Sequence, residues 1–179
     1  MPDMANLKGL LGSLASAMGG ETGIPTGSRA VGNFELDRYL GLWYEIARLD
    51  HSFERGLEQV TAHYAMRDDG GVAVTNRGFN PEDGEWDEAE GKAFFEEEPT
   101  TGRFRVSFFG PFYAGYNILW LDDDYEHAIV AGPNHGFLWL LARSPSITVD
   151  RHEHMLEIAR QNGFDTDALM RVAHNKSKA

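Results

Sequence analysis

The strongest constraint in this sequence is a succession of short apolar runs between residues 42 and 144, each of strand length and each bounded by turn residues. The runs are Leu42 to Leu49, Val60 to Arg67, Val72 to Phe79, Trp86 to Glu96, Arg103 to Phe109, Tyr113 to Asp122, His127 to Ala131 and Phe137 to Ser144. Spacing this close leaves no room for the crossover helices of βαβ units, so the strands must pair antiparallel. Asp68-Asp69-Gly70-Gly71 is a hairpin signal, because glycine tolerates the positive φ that tight β-turns require. Asn80-Pro81-Glu82-Asp83-Gly84 marks the next loop. Eight strands in meander order leave two open edges unless the sheet closes on itself. The expected fold is therefore all-β, an eight-stranded antiparallel up-and-down β-barrel.

After Ser144-Pro145 the apolar period changes from strand to helix. Val149, Met155, Leu156, Ile158 and Ala159 form a stripe on a helix over about residues 149–162, with Thr148 as N-cap, Asp150 complementing the helix dipole and Asn162-Gly163 as the stop. This C-terminal α-helix is expected to pack outside the barrel. Residues 165–173 are too short a pattern to choose between a helical turn and an edge strand.

The rest of the chain adds limits. Its 179 residues suit one domain, and 28 acidic against 16 basic side chains give a formal charge of −12, which repels nucleic acid and anionic surfaces. No stretch reaches the roughly 18 apolar residues of a membrane-spanning helix. There is no cysteine, hence no disulfide, thiolate metal site, cysteine nucleophile or cysteine-linked lipid. Residues 1–33 are rich in Gly, Ala and Ser and lack aromatics, which predicts poor packing. Residues 1–32 read as a flexible arm or a weak export signal, with Lys8 as its charge, Leu10 to Leu14 as its apolar run and Ala15-Ser16-Ala17 as a cleavage-like site. Residues 33–174 then form the barrel domain and residues 175–179 a tail.

Three ordered motifs sharpen the barrel. Residues 33–48, NFELDRYLGLWYEIAR, resemble the first signature of the lipocalins, whose core Gly-x-Trp is here Gly41-Leu42-Trp43. Asp123-Asp124-Tyr125 is similar to the family's second signature, Thr-Asp-Tyr, with Asp123 departing at the Thr position, and Arg143 to its third. Residues 51–64, 67–71, 90–95 and 107–118 look most like the bacterial outer-membrane lipoprotein lipocalins, relatives of apolipoprotein D and the plant temperature-induced lipocalins. Those lipoproteins carry a lipidated cysteine that this sequence lacks. The resemblance implies a calycin barrel that carries a small hydrophobic ligand, and it favours a bacterial envelope location, with the cytoplasm left open by the weak signal.

It also implies structural roles for Gly41, Trp43, Asp124, Tyr125 and Arg143, with Trp43 and Arg143 meeting at the closed end through a cation–π contact. If Trp43 points inward, strand alternation turns Glu45, Ala47 and Leu49 inward and Tyr44 and Ile46 outward. Counting back from Arg143 turns Leu141, Trp139 and Phe137 inward. Hairpin pairing sets Val60, Ala62, Tyr64 and Met66 opposite Val72, Val74 and Asn76. The family's register adds Phe95, Val106, Phe108, Ile118, Trp120 and Val130. The candidate ligand-lining set is thus Glu45, Ala47, Ala62, Tyr64, Val74, Asn76, Phe95, Val106, Phe108, Ile118, Trp120, Val130, Phe137, Trp139 and Leu141.

Small inward residues such as Ala47 and Ala62 favour a cavity, and its lining suits a fatty acid, a lysophospholipid or a similar lipid. An inward Glu45 needs a partner or a raised pKa, and either a tyrosine hydroxyl or a ligand head group would serve; Arg105 and Lys92 have outward parity. The aromatic run Phe108 to Tyr113 is a candidate rim or membrane contact. His152 and His154, two residues apart, lie on different helix sides and with Glu153 and Glu157 do not make a zinc motif. Glu96-Glu97-Glu98 reads as a solvated loop edge. No nucleophile, phosphate or dinucleotide motif is present, so the expectation is a non-catalytic carrier, with no metal and no cofactor, as a monomer or homodimer. The alternatives are a calycin-type enzyme or tetrapyrrole-binding protein, and a packed barrel acting through its surface.

Overall fold

The structure, a computed structural model, describes residues 20–109 and 111–174, with the backbone alone at Phe109. The export-like segment around Lys8 to Ala17 and the tail at 175–179 lie outside the described residues, as does Gly110 of the aromatic run. A single helical turn, α1 (Leu36–Tyr39), precedes the sheet. The strands are β1 (Gly41–Leu49), β2 (Glu58–Met66), β3 (Val72–Asn80), β4 (Glu85–Phe95), β5 (Arg103–Phe109), β6 (Phe112–Leu121), β7 (His127–Ala131) and β8 (Leu138–Ala142). Helix α2 (Val149–Gln161), a 3₁₀ turn (Thr166–Ala168) and a short β9 (Leu169–Arg171) follow.

Each strand pairs antiparallel with its sequence neighbour, β8 returns to β1, and β1 also pairs with β2, so the barrel closes. Closure is shared along the length of β1. Its first half, Gly41 to Tyr44, pairs with β2, while Ala47 to Leu49 pair with β9. The Gln59 amide donates to Ala173 O at 2.7 Å, so β9 fills the gap where β1 and β2 part. Residues 165–173 thereby contain both a helical turn and a strand.

The burial pattern explains the sequence pattern. β7 and β8 read HAIVA and LWLLA without alternation because both faces are covered, one by the barrel interior and the other by α2. β4 reads EWDEAEGKAFF and is exposed along most of its outer face, away from the helix. Helix α2 begins with Thr148 Oγ1 accepting from the Arg151 amide at 3.1 Å and ends before Gly163, whose φ of +85° favours glycine. It buries Met155 and Ala159, four residues apart, against Ile46, Ile129, Leu138 and Leu140. Val149, expected in that stripe, is instead 77% exposed, since it lies in the first turn beyond the sheet.

Two β-bulges overturn the simple alternation. An extra residue between Glu45 and Ala47 shifts β1 against β8, so Ile46 and Ala47 both face the helix and Arg48 turns inward opposite Trp139. Leu49 faces the helix as well. A second bulge between Ile118 and Trp120 does the same in β6: Leu119 and Trp120 pack under α2, where the Trp120 ring meets His154 edge-on at 5.6 Å. Ala47, Leu49 and Trp120 are thus corrections to the inward set, and each bulge gives the helix two consecutive apolar side chains.

The part of the N-terminal arm from Gly20 to Asn33 also differs from expectation. It packs along the barrel, with the Gly115 amide bonded to Glu21 O, Asn117 Nδ2 bonded to Gly23 O and Val31 bridging Ile118 and Gly102. Gly115 makes this approach workable, because a Cβ there would lie 2.5 Å from Gly23 O.

Met155→Ala should destabilise the fold by about 2 to 5 kcal/mol in urea denaturation. Leu156→Ala, on the half-buried flank of the same helix, should cost clearly less.

Candidate functional site

The site is a chamber with a locked floor. Trp43 is fully buried, and the Arg143 guanidinium lies over its ring at 3.8 Å. The same guanidinium donates to four main-chain carbonyls: Tyr125 O at 3.1 Å, Leu40 O at 3.1 Å, Leu42 O at 3.0 Å and Arg38 O at 2.8 Å. It therefore ties β8 to α1, to the start of β1 and to the β6–β7 turn. Gly41 has φ +100°, and a Cβ there would sit 3.5 Å from the guanidinium. Tyr125, at φ +56°, stacks on Phe34 and accepts the Glu35 amide at its hydroxyl. Asp124 is exposed, and the carboxylate that organises this turn is Asp122, which accepts the Glu126 and His127 amides and pairs with His127 Nδ1 at 2.7 Å.

Above the floor the interior opens into a cavity of about 70 Å³. Apolar side chains dominate its wall, among them Val72, Val74, Ala93, Phe104, Val106, Val130 and Leu141. Three tyrosines line its lower part. Tyr39 and Tyr116 hydroxyls are 2.5 Å apart, and those of Tyr64 and Tyr116 are 2.8 Å apart. Burial raises the pKa of all three, so they remain neutral hydroxyls that can donate and accept.

The wall near β1 and β8 is polar. Arg48, with no exposed surface, donates from Nη1 to Glu45 Oε1 at 3.3 Å, from Nη2 to Glu54 O at 2.9 Å and from both to Leu57 O at 3.3 Å. Its Nε meets Asp50 at 3.4 Å. Arg48 thus anchors the β1–β2 loop over the barrel mouth, and this loop inserts Phe53 and Glu54 into the cavity wall. Trp139 Nε1 donates to Glu54 Oε1 at 2.6 Å. Burial first, and then the neighbouring Glu54 carboxylate, hold the Glu45 carboxyl well above its usual range. Glu45 therefore pairs with Arg48 and Glu54, rather than with a tyrosine or water as expected from the sequence.

Of the candidate lining residues, Glu45, Ala62, Tyr64, Val74, Asn76, Val106, Phe108, Val130, Trp139 and Leu141 face the cavity. Phe95 and Ile118 point inward but are used elsewhere. Phe95 stacks on Phe104 at 4.4 Å and meets Phe34, and Ile118 is buried beside Gly102. Phe137 stacks on His51 at 4.3 Å in the loops at the mouth. Ala47 and Trp120 lie outside, displaced by the bulges. Sequence alternation missed Arg48 for the same reason, and Glu54 because a loop residue has no parity to follow. Tyr39 and Tyr116 also went unnoticed, although Tyr116 is two residues from Ile118 and shares its inward face. Among the described residues, no group of His, Asp and Glu is arranged to hold a metal. His152 and His154 belong to α2, and Glu97 and Glu96 reach Arg103 and Arg105 at 2.7 and 3.6 Å.

A closed eight-stranded barrel with one external helix and a Trp–Arg floor defines a lipocalin-type binding protein. The family model for the lipocalin-like domain matches residues 34–174, and the chain belongs to that family. It is 53% identical over 148 residues to the outer membrane lipoprotein Blc of Escherichia coli K12, covering 83% of this chain and 84% of that protein. It is 51% identical over 156 residues to the Blc of Vibrio cholerae, covering 87% and 91%, and 29% identical to mouse apolipoprotein D, covering 76% and 75%. Among solved structures, the fold matches insecticyanin of the tobacco hornworm Manduca sexta with a TM-score of 0.68 at 19% identity, covering 87% of this chain and 89% of that one. The barrel interior is accordingly a binding site for a small hydrophobic ligand.

Because the folded chain holds the Glu45 proton to a higher pH than the unfolded chain, which loses it near 4.5, wild-type stability should fall as pH rises from that value to the raised pKa. Glu45→Gln mimics the protonated form, so its melting temperature should exceed that of the wild type increasingly above about pH 5, with little difference below it.

Proposed function

We propose that this protein is a non-catalytic carrier of a single-chain lipid, a fatty acid, lysophospholipid or similar amphiphile, with the hydrocarbon tail inside the barrel. The observation that carries this reading is the predominantly apolar chamber above the Trp43–Arg143 floor. Its apolar lining suits an alkyl chain. Catalysis has no comparable support. The tyrosine hydroxyls hydrogen-bond to one another and Glu54 is held by Trp139, so none is set beside an activated nucleophile.

Loading and delivery use the open end. Phe112, at the β5–β6 hairpin, and Trp86, at the start of β4, are 50% and 45% exposed. Trp86 is steadied by Phe79 and by Arg77, whose guanidinium lies 3.9 Å from its ring. These rings are the side chains that meet a lipid surface during transfer, and the acidic loop residues Glu82, Asp83 and Glu85 beside Trp86 favour a zwitterionic over an anionic one. The family likeness to outer membrane lipoproteins supports an envelope setting. The 179 residues contain no cysteine, so acylated-cysteine anchoring is not part of this reading.

Each buried methylene contributes about 0.8 kcal/mol, so affinity for a series of linear amphiphiles should rise roughly tenfold for every two carbons added until the chamber is full, then level off. Val74→Trp, which fills the chamber from β3, should shift that plateau to shorter chains. Titration followed by tryptophan fluorescence reads both; an affinity independent of chain length and unaffected by Val74→Trp would refute tail burial.

A further inference from the structure

The cavity carries formal charge of one sign only. Among the described residues that line it, Glu45 and Glu54 are the ionisable carboxyls, and no lysine, arginine or histidine faces the space. Arg48 stands behind them, and its donors are committed to Glu45, Asp50 and the Glu54 and Leu57 carbonyls. Glu54 is 2% exposed; its Oε1 accepts from Trp139, its buried Oε2 accepts from no nitrogen or hydroxyl and lies 4.0 Å from Arg48, and a proton on Glu45 is what joins the two carboxyls by a hydrogen bond. A buried carboxylate oxygen left this way costs free energy unless a proton or a cation reaches it.

We propose that the Glu45–Glu54 pair is a subsite for a protonated amine, so that the barrel prefers a slender amphiphile whose head is a primary ammonium and takes that head inside, against the β1–β8 wall. This rests on the lipid-carrier reading and specifies its head-group chemistry. A primary ammonium offers several N–H donors, which suits Glu54 Oε2 and Glu45 together. A carboxylate or phosphate head would meet two acidic groups and no cation, and must stay at the mouth or enter protonated.

Charge balance makes the proposal specific. One Arg48 guanidinium balances one of the two carboxylates, and Glu45, whose pKa is pushed up by burial and by Glu54, is the carboxyl that takes the proton first as pH falls. Entry of an ammonium replaces this proton, which leaves to solvent. The other charged or titratable groups around the pair do not compete for the role. Asp50 is engaged by Arg48 and Arg55, Tyr64 stays neutral, His51 is held down by burial, and His174 Nε2 meets the main-chain oxygen of Glu45, not its carboxyl.

The test is calorimetric titration of the full chain with decylamine, 1-decanol and decanoate, which share one tail, between about pH 5 and about pH 8. Decylamine should bind at least about tenfold more tightly than decanol at the upper end, with its affinity falling by up to tenfold per pH unit as Glu45 takes up its proton. Decanoate should follow the opposite trend. Glu54→Gln should bring the amine-to-alcohol affinity ratio close to one. Glu45→Gln, isosteric with the protonated acid, should remove the pH dependence and serves where Glu54→Gln fails to fold. Decanol binding with decylamine no tighter, or a ratio that survives both substitutions, overturns the ammonium subsite and leaves the carrier reading intact. Failure of all three ligands to bind removes both.

Discussion

The Arg143 guanidinium is the group on which the rest of the barrel depends. Four main-chain carbonyls from α1, β1 and the β6–β7 turn converge on it, and its face lies on Trp43. A barrel closed only by strand pairing would still have an open lower end. Here one side chain near the end of β8 binds carbonyls of the α1 turn, the first strand and the β6–β7 turn together, and it seals that end without a plug domain. Because the planar fork can serve several acceptors while stacking on an indole, lysine could not replace it. Gly41 belongs to the same arrangement, since its φ of +100° brings β1 past the guanidinium.

A second arginine organises the opposite end. Arg48 is wholly buried, a placement that is costly unless its donors and charge are matched. The β1 bulge turns it inward, and it then holds the β1–β2 loop by the Glu54 and Leu57 carbonyls. This places the Glu54 carboxyl in the chamber and Phe53 in the core. Loop geometry, ligand-site polarity and the strand irregularity are therefore one construction. The tyrosines below it form a neutral hydroxyl chain, so the lower chamber is polar without being charged.

Much of the fold was legible because its physics is local. Turn chemistry at Asp68 to Gly71 set the β2–β3 register, which pairs Met66 with Val72, Tyr64 with Val74 and Ala62 with Asn76. The change of period after Pro145, the Thr148 cap and the Asn162-Gly163 stop delimited the helix. The site was less legible. Ala47 and Trp120 were misplaced by an alternation that two bulges interrupt, and a bulge leaves no mark in composition. Val149 carried the right residue type for the stripe, but the helix starts before it reaches the sheet. Gly20 to Asn33 lacks aromatics yet packs, because its backbone docks on Gly115 and Asn117, and backbone docking needs no apolar side chains.

By itself the sequence determined eight antiparallel strands and an outer helix, because turn residues and apolar periods act through neighbours along the chain, while the Trp43–Arg143 floor was expected from the resemblance of three spaced motifs to the lipocalin signatures. Only the tertiary structure decided which side chains face the cavity and what charge it holds. Inward orientation after a bulge depends on cross-strand pairing. The Glu45–Arg48–Glu54 group depends on folding a loop back over a strand, and the proton held by Glu45 depends on burial that neither residue type nor spacing can specify.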